Sequence, residues 1–170
     1  MFFQYLRTEP WLPSFIWVST REEAADVINR PHEDYPKRVF HTAQSIDDFA
    51  YASAFDISKY EISSVFTNAV IKAIHYGIFF DLFHAGSFRN LDVTVGRHCP
   101  PKFIQVEKLM DELQFRYDGL VKNLGILIEW YKDFETIHPF QDGNGRVGGT
   151  IVAVVSHQFH PEKGFLVPCQ

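Results

Sequence analysis

Apolar residues in the second half of the chain recur at helical spacing on both sides of a short polar loop. The first pattern has alternating four- and three-residue steps: Leu120, Leu124, Leu127, Tyr131 and Phe134. This spacing predicts a helix with one buried face that ends just before His138. Residues 147–155 are apolar and compatible with a second buried helix. The loop between the two helices therefore spans residues 138–146.

The middle of the chain carries further helical patterns. A short helix is predicted from Ile46 to about Ala54, with Ser45 as its cap. A longer helix is predicted from near Ile57 and ends at Ala85-Gly86; its apolar positions are Val65, Ile71, Ile74, Ile78 and Leu82. A helix after Pro101 carries Phe103, Val106, Leu109, Met110 and Leu113 along one face.

Leu91, Val93 and Val95 alternate with polar residues, which predicts a short strand or hairpin between the longer helices. We call Leu91–Val95 the arm. It gives the only strand signal in the sequence analysis, because helical patterns dominate from residue 45 onward. The sequence therefore predicts a mainly α domain of packed helices with a small β-hairpin.

The N-terminal segment is the least helix-like part of the chain, because Pro10, Pro13, Pro31 and Pro36 interrupt it. We predict that residues 1–44 form an extension packed on a domain of residues 45–170. Residues 11–17 hold two tryptophans, so an arm for a partner is the alternative to packing. Packing is favoured because exposed apolar clusters are uncommon without a partner.

A short helix is predicted after residue 18 within this extension. Ser19 and Thr20 each stand three residues before a glutamate, Glu22 and Glu23 respectively, and this is the pattern of a capping box. Pro31 would end the helix.

Composition fits one domain and argues against several classes of partner. The chain has 170 residues, 46% of them hydrophobic, enough for one substantial core. A net charge of −5 without a basic run argues against DNA or RNA binding. Cys99 and Cys169 are the only cysteines, too few for a disulfide scaffold. No apolar run reaches the length of a membrane span, so we expect a cytoplasmic protein without a membrane partner.

The loop at residues 138–146 combines three side chains with different chemistry. His138 can accept a proton near neutral pH, Asp142 can hold a hard cation, and Arg146 can grip a phosphate. Gly143 and Gly145 lie where the second helix would begin, and free N–H groups at a helix start favour anions. This combination indicates transfer of a phosphate-containing group, although a Gly-Asn-Gly turn also joins helices in proteins without such chemistry.

These residues resemble the motif of the Fic family, H-x-F-x-[D/E]-G-N-G-R-x-x-R. The matching residues are His138, Phe140, Asp142, Gly143, Asn144, Gly145 and Arg146. The final arginine is absent, since Gly149 stands in its place. The segment Gly86-Ser87-Phe88-Arg89, the arm and Pro100-Pro101 are also similar to the family, so the resemblance covers about residues 45–155.

The resemblance implies a Fic-fold helical domain with a small β-hairpin flap. It also implies a protein adenylyltransferase, which moves AMP from ATP to a Ser, Thr or Tyr hydroxyl of a target protein. His138 would be the catalytic base and Asp142 would hold Mg²⁺. The nucleotide would be bound by Phe140, Gly143, Asn144, Gly145 and Arg146, with Phe140 buried to anchor the loop.

In the family, a flap holds the target peptide by strand addition, which tolerates many peptide sequences. The resemblance transfers this role to Leu91, Asp92, Val93, Thr94 and Val95. An ordinary connecting hairpin is the alternative for this segment.

Gly149 puts the choice of donor in doubt. In the family, the arginine at this position contacts the γ-phosphate and pairs with an inhibitory glutamate where one is present. Gly149 is predicted to leave an uncharged gap, so ATP and ADP should bind with similar affinity and Gly149→Arg should restore preference for ATP. A different nucleotide donor, transfer of phosphocholine or phosphate, and a regulatory or binding module without this chemistry are the alternatives.

Regulation and assembly are less specified by the sequence. Ser19 and Glu23 have the spacing of the family's inhibitory motif, but Ala24 stands where that motif has Gly or Asn, and helix capping explains both residues. A separate inhibitory protein therefore stays open as a partner. Self-association stays open too, because residues 164–170 are apolar and could need a cover.

Overall fold

The computed structural model describes residues 14–28, 67–79, 84–117 and 123–169. These ranges contain five α-helices and two β-strands: β1 (Ser14–Val18), α1 (Arg21–Ile28), α2 (Asn68–Phe79), α3 (Phe103–Tyr117), α4 (Leu124–Ile137), α5 (Asn144–Phe159) and β2 (Phe165–Cys169). A short 3₁₀ turn, Pro161–Lys163, joins α5 to β2. The prediction of a mainly α fold is confirmed, and the small antiparallel sheet is formed by β1 and β2. No helix in these ranges is long and apolar enough to cross a membrane.

Helix α5 is the centre of the core. Every residue from Val147 to Ser156 is buried, as expected for a segment that is apolar on all its faces. It contacts α1, α2, α4 and β2. The second predicted helix is thus confirmed, but it begins at Asn144, so the loop with the motif residues, the motif loop, spans residues 138–143 instead of 138–146.

Helix α4 packs against α5 and carries the predicted apolar face. Its first turn is capped by Asn123, whose side-chain oxygen accepts a hydrogen bond from the N–H of Ile126 at 2.9 Å. Leu127, Tyr131 and Phe134 are fully buried, as their spacing predicted. The helix ends at Ile137, so it delivers the next residue, His138, to the loop.

Helices α2 and α3 complete the helical layer around α4 and α5. The predicted core positions are buried in both helices: Ile71, Ile74 and Ile78 in α2, and Val106, Leu109, Met110 and Leu113 in α3. Phe103, also predicted on the apolar face of α3, is instead 40% exposed. The predicted helix at residues 46–54, the first part of the next helix, Leu82 and Leu120 lie outside the described residues.

The sheet of the described residues lies where the sequence analysis did not expect it. Strand β1 pairs antiparallel with β2, with Ser14 opposite Cys169 and Val18 opposite Phe165. Phe15 and Trp17 of β1 are partly buried and pack against the core. The proposed boundary near residue 44 and residues 11–13 lie outside the described residues.

The pairing also answers why the C-terminal segment is apolar. Phe165, Leu166 and Val167 are buried within the same chain. The expectation that residues 164–170 need a cover from a second molecule is therefore wrong for the described part of that segment. Self-association loses the argument on which it was based.

The short helix α1 begins with the predicted cap. The hydroxyl of Thr20 accepts a hydrogen bond from the N–H of Glu23 at 3.1 Å, and the Glu23 carboxylate accepts one from the N–H of Ser19 at 2.9 Å. Glu23 is exposed and engaged in this cap. The capping interpretation of Ser19 and Glu23 is thus confirmed in the geometry of the helix start.

Candidate active site

His138 is the first residue after helix α4 and has a left-handed backbone, with φ 52° and ψ 62°. No other non-glycine residue in the described ranges has a positive φ. Its N–H donates to the carbonyl of Phe134 at 2.9 Å, which closes the last turn of the helix. An L-residue in this conformation is strained by about 1–2 kcal/mol, so the surrounding contacts have to hold it in place.

The His138 ring is neutral at physiological pH. Burial is the main cause that lowers its pKa to about 4, and the nearby Arg89 and His98 lower it further. The backbone of Glu135 and the charge of Asp142 oppose this shift. The Nδ1 atom is buried and lies 3.8 Å from a carboxyl oxygen of Glu135. Nε2 is therefore the nitrogen left to accept a proton from a substrate.

Glu135 is a buried acid that the sequence analysis did not single out. It lies one turn before His138 on α4 and is 3% exposed. Burial raises its pKa to about 8, and its Oε1 atom is buried without a hydrogen-bond partner. The carboxyl group is therefore mostly protonated at neutral pH. Its position in the helix did not predict its burial, because an acidic residue near a helix end usually faces solvent.

The motif loop is closed by Asn144, the first residue of α5. Its side-chain oxygen accepts from the N–H of Phe140 at 2.8 Å, and its side-chain nitrogen donates to the carbonyl of the same residue at 2.8 Å. Both bonds are made to the backbone of the loop, and Asn144 is 2% exposed. The part that the structure gives Asn144 is thus to brace the loop.

Phe140 anchors the loop, as the sequence analysis expected. Its ring is fully buried and stacks on the ring of His75, with centroids 4.0 Å apart and planes 12° apart. Phe88 packs against it from another side at 5.4 Å. Because the ring is enclosed, Phe140 can contribute to a nucleotide site through its placement of the loop and not through ring contact.

His75 of α2 contacts the motif loop and the segment before the arm through its two ring nitrogens. Its Nδ1 accepts the N–H of Gly86 at 2.9 Å, which assigns the ring proton to Nε2. Nε2 then donates to the carbonyl of Asp142 at 3.0 Å. Burial is the main cause that lowers the His75 pKa to about 4, so this neutral tautomer is the one expected at pH 7. His75 therefore joins Gly86, which lies just before the arm, to Asp142 of the motif loop.

Gly143 forms the turn into α5 with φ 83°, in the left-handed region. A Cβ atom at this position would lie 2.2 Å from the Phe79 ring, so both the backbone and the packing require glycine. The Gly143 N–H donates to the Asp142 carboxylate at 2.8 Å. The next residues begin α5, where N–H groups have no acceptor within the helix and can face an anion.

The two remaining phosphate-binding candidates differ in exposure. Gly145 is half-buried and lies in the first turn of α5, where its backbone can meet a ligand. Arg146 is 5% exposed, and its guanidinium lies 6.0 Å from the Phe79 ring centroid. The structure thus brings the positive end of a helix and a buried guanidinium to the same side of the loop.

Asp142 is the residue that would hold Mg²⁺. No group of three or more His, Cys, Asp or Glu side chains within the described ranges is arranged for a metal ion. A single carboxylate nevertheless fits Mg²⁺, which commonly takes one or two carboxylates together with substrate phosphates and water. Asp142 is half-buried, with one oxygen turned to the Gly143 N–H. It therefore suits a metal that arrives with a nucleotide.

The arm is less regular than predicted. Its one β-bridge joins Val95 to His98 around a turn at Gly96, which has φ 58°. The Asp92 carboxylate accepts the N–H of Phe103 at 2.7 Å, which ties the arm to the start of α3 and replaces a longer hairpin ladder. Leu91, Asp92 and Thr94 are exposed. The arm thus presents an extended, accessible segment instead of a regular two-stranded flap.

Gly149 does not border an open gap. A Cβ atom there would lie 3.2 Å from Ile28 of α1 and 3.3 Å from Pro168 of β2. The prediction of a gap is therefore wrong, because two elements that the sequence could not place fill the space. An arginine at this position would have to displace Ile28 or Pro168.

A small cavity lies between the segment that precedes the arm and the motif loop. Its volume is about 180 Å³, and it is lined by His84, Ser87, Phe88, Arg89, Asn90 and Gln141. This is less than the roughly 300–1,000 Å³ of typical ligand pockets. It is large enough for a side chain or one end of a substrate, beside the residue that precedes Asp142.

Comparison with known proteins agrees with this geometry. The model of the Fic/DOC family matches residues 65–155, which include the arm and the whole loop. A Fic family protein from Desulfovibrio desulfuricans G20 is similar in structure, with a TM-score of 0.50 and 22% identity. The match covers 84% of this chain and 44% of that protein, so this chain spans less than half of its length.

A second solved structure supports the same fold. It is a Fic domain containing signaling protein from Bacteroides thetaiotaomicron VPI-5482, with a TM-score of 0.55 and 13% identity. The match covers 92% of this chain and 70% of that protein. At these identities the similarity of structure speaks for the fold alone.

Proposed function

Because the chain belongs to the Fic/DOC family, we propose that it is a protein adenylyltransferase. It would transfer AMP from ATP to a Ser, Thr or Tyr hydroxyl of a target protein. The proposal rests on one observation: the neutral His138 and the start of α5 lie at the two ends of one short loop. A proton acceptor then faces a site that favours phosphate.

The reaction follows from these positions. The target hydroxyl loses its proton to Nε2 of His138 as its oxygen bonds to the α-phosphorus of ATP. The bond from that phosphorus to the bridging oxygen breaks, and pyrophosphate leaves. The N–H groups at the start of α5 and the guanidinium of Arg146 stabilise the charge on the phosphates. Mg²⁺ held by Asp142 would neutralise further phosphate charge when bound.

The pKa of His138 suits a base that must be neutral before it reacts. A histidine with its ordinary pKa of 6.5 is partly charged at cellular pH. Burial keeps this ring unprotonated and therefore able to accept. The low pKa also makes it a weaker base, so much of the acceleration has to come from positioning of the hydroxyl and the phosphate.

The arm, Leu91–Val95, would hold the target. Leu91 is 39% exposed, and the arm forms a β-bridge at Val95, at its end. A peptide that adds to the arm would be held largely through main-chain hydrogen bonds. The adjoining cavity by Gln141 could receive the side chain that carries the hydroxyl.

Labelling with ATP that carries a radioactive α-phosphate tests the proposal. Wild-type protein with Mg²⁺ should label itself or a protein in a cell lysate, and His138→Ala should not. His160→Ala is a matched control, because His160 lies at the opposite end of α5 and is partly exposed. The absence of any labelling that depends on His138 would refute the proposed activity with ATP.

The packing at Gly149 favours a second candidate, a Fic-like module with a different donor or no transfer activity. With Ile28 and Pro168 beside Gly149, no guanidinium grips a third phosphate there. The same labelling assay separates the candidates when it includes ADP and nucleoside diphosphate conjugates labelled on either phosphate. Labelling from a conjugate but not from ATP would identify another donor, and no labelling from any nucleotide would favour the module.

A further inference from the structure

The C-terminal end of α4 is capped by side chains from the segment that surrounds the arm. The last carbonyl groups of a helix have no donor within the helix, and buried carbonyls need one. The ring of His98 donates to the carbonyl of Thr136 at 3.1 Å. The next three carbonyls, of Ile137, His138 and Pro139, all take their donors from one residue, Arg89.

Arg89 makes these contacts with its backbone and its side chain. Its N–H donates to Pro139 at 2.8 Å, and its Nε donates to His138 at 2.8 Å. One terminal nitrogen reaches Ile137 at 3.4 Å and also Pro101, while the other reaches Leu91 at 3.0 Å. The side chain is fully buried, and besides these carbonyls one of its terminal nitrogens lies 3.9 Å from the carboxylate of Asp92.

We propose that Arg89 is a positioning residue that fixes His138 in its left-handed conformation and sets its distance from the arm. This inference rests on the proposed function, because it gives the purpose of holding His138. The guanidinium joins the carbonyl of His138 to the carbonyl of Leu91, the first residue of the arm. It also joins it to the carbonyl of Pro101, which lies just before α3. The base and the bound target would thereby share one rigid reference point.

The shape of the guanidinium is essential to this role. Its donors point in fixed directions within a plane, whereas a lysine has one ammonium at the end of its chain. Lysine could keep the charge and one or two contacts, but it could not reach carbonyls on both sides. A cation is also favourable at the C-terminal end of a helix. Arg89→Lys therefore separates the geometry of the contact from its charge.

The charge of Arg89 gives a second measurable effect on His138. Arg89 and His98 disfavour protonation of the ring, while Asp142 and the backbone of Glu135 favour it. Removing the charge with Arg89→Gln should raise the His138 pKa. The acid limb of the dependence of kcat/KM on pH should then move to higher pH. A residue that only supported the fold would lower the rate without this movement.

The experiment compares kcat/KM and its pH profile for wild type, Arg89→Lys and Arg89→Gln. Arg97→Lys and Arg97→Gln serve as matched controls, since Arg97 lies in the turn after the arm and is exposed. Arg89→Lys should lose about 100-fold in kcat/KM with its acid limb little changed, as expected for a misplaced base. Arg89→Gln should show the loss and the shifted limb, and the Arg97 variants should show neither. Near wild-type rates in both Arg89 variants, or a loss without a shifted limb in Arg89→Gln, would overturn the proposal.

Measurements that need no activity keep the inference distinct from the proposed function. NMR titration of the His138 ring should give a higher pKa in Arg89→Gln than in wild type. If the Arg89 variants do not fold, hydrogen exchange in the wild type decides the matter: the Nε–H of Arg89 should exchange much more slowly than that of Arg97. Equal exchange rates would contradict the contacts. A wild type that labels nothing would refute the transferase proposal and leave these two measurements valid.

Discussion

Replacing Glu135 by glutamine should remove a loss of stability that the wild-type protein suffers between pH 5 and pH 8. The carboxyl group of Glu135 is buried, and burial raises its pKa from the ordinary value of 4.5 to about 8. In that range the unfolded chain has released a proton that the folded chain still holds. A glutamine has no such proton, so its folding should not depend on pH in this way.

The magnitude follows from the raised pKa. Stability from the protonated Glu135 is fully present below pH 4.5, falls as the pH rises, and is lost once the pH passes about 8. Each pH unit within that window lowers the free energy of unfolding by about 1.4 kcal/mol. The free energy of unfolding of Glu135→Gln relative to wild type should therefore grow by roughly 3–4 kcal/mol between pH 5 and pH 8.

Urea denaturation at pH 5, 6, 7 and 8 measures this difference. The difference is the useful quantity, because the lowered pKa values of His75 and His138 act in both proteins alike. Those histidines stabilise the fold above pH 6.5 and lose this effect as the pH falls toward about 4. Glu129→Gln is the control, since Glu129 is exposed on the same helix. The free energy of unfolding of Glu135→Gln relative to wild type should change with pH. If it changed no more than that of Glu129→Gln, the protonated state of Glu135 would be refuted.

Two further perturbations test the motif loop and the core beside it. Asn144→Ala should lower the free energy of unfolding by about 2–4 kcal/mol, because the buried N–H and carbonyl of Phe140 both lose their partner. Urea denaturation measures this change. A decrease below about 1 kcal/mol would contradict the role of Asn144 in holding the loop. Gly149→Arg should destabilise the protein by about 1–3 kcal/mol through overpacking against Ile28 and Pro168. Calorimetric titration should find ATP and ADP within about tenfold in affinity for the wild type. A stable Gly149→Arg variant with new ATP selectivity would contradict the packing.

The sequence predicted the parts of the fold that depend on local spacing. Helices α4 and α5 were found from apolar periodicity, and the start of α1 was found from its capping residues. The loop between α4 and α5 was found because several uncommon residue types stand together in it. Each of these signals lies within a few residues of the element it describes, so no knowledge of tertiary contacts was needed.

The sheet could not be predicted in the same way. Strands β1 and β2 are short and stand near opposite ends of the described chain. Each has an incomplete pattern: β2 contains Pro168, and its residues Phe165 to Val167 are all buried because α5 and β1 both cover them. A continuous apolar run of this length is ambiguous until its neighbours are known. The same missing neighbours led to the wrong prediction of a gap at Gly149.

The site shows a related limit, because the sequence identified residues by type but not by partner. Arg89 was noticed beside the arm, but its role depends on carbonyls of residues 137–139, which lie far along the chain. His75 and Asp142 likewise meet only in the folded protein. A motif search finds side chains that can carry chemistry. It does not find side chains that hydrogen-bond to backbone, since every residue offers a carbonyl.

The protonation of Glu135 also affects the charge around His138. Arg89 and Arg146 are both buried near the loop, and the Asp92 carboxylate lies 3.9 Å from the guanidinium of Arg89. If Glu135 were ionised, its charge beside His138 would favour protonation of the His138 ring. With Glu135 and His138 both neutral, the site keeps an unprotonated nitrogen and adds no further carboxylate charge beside it. Under the proposed function, the neutral state of Glu135 therefore helps to keep His138 unprotonated and able to accept the proton of the target hydroxyl.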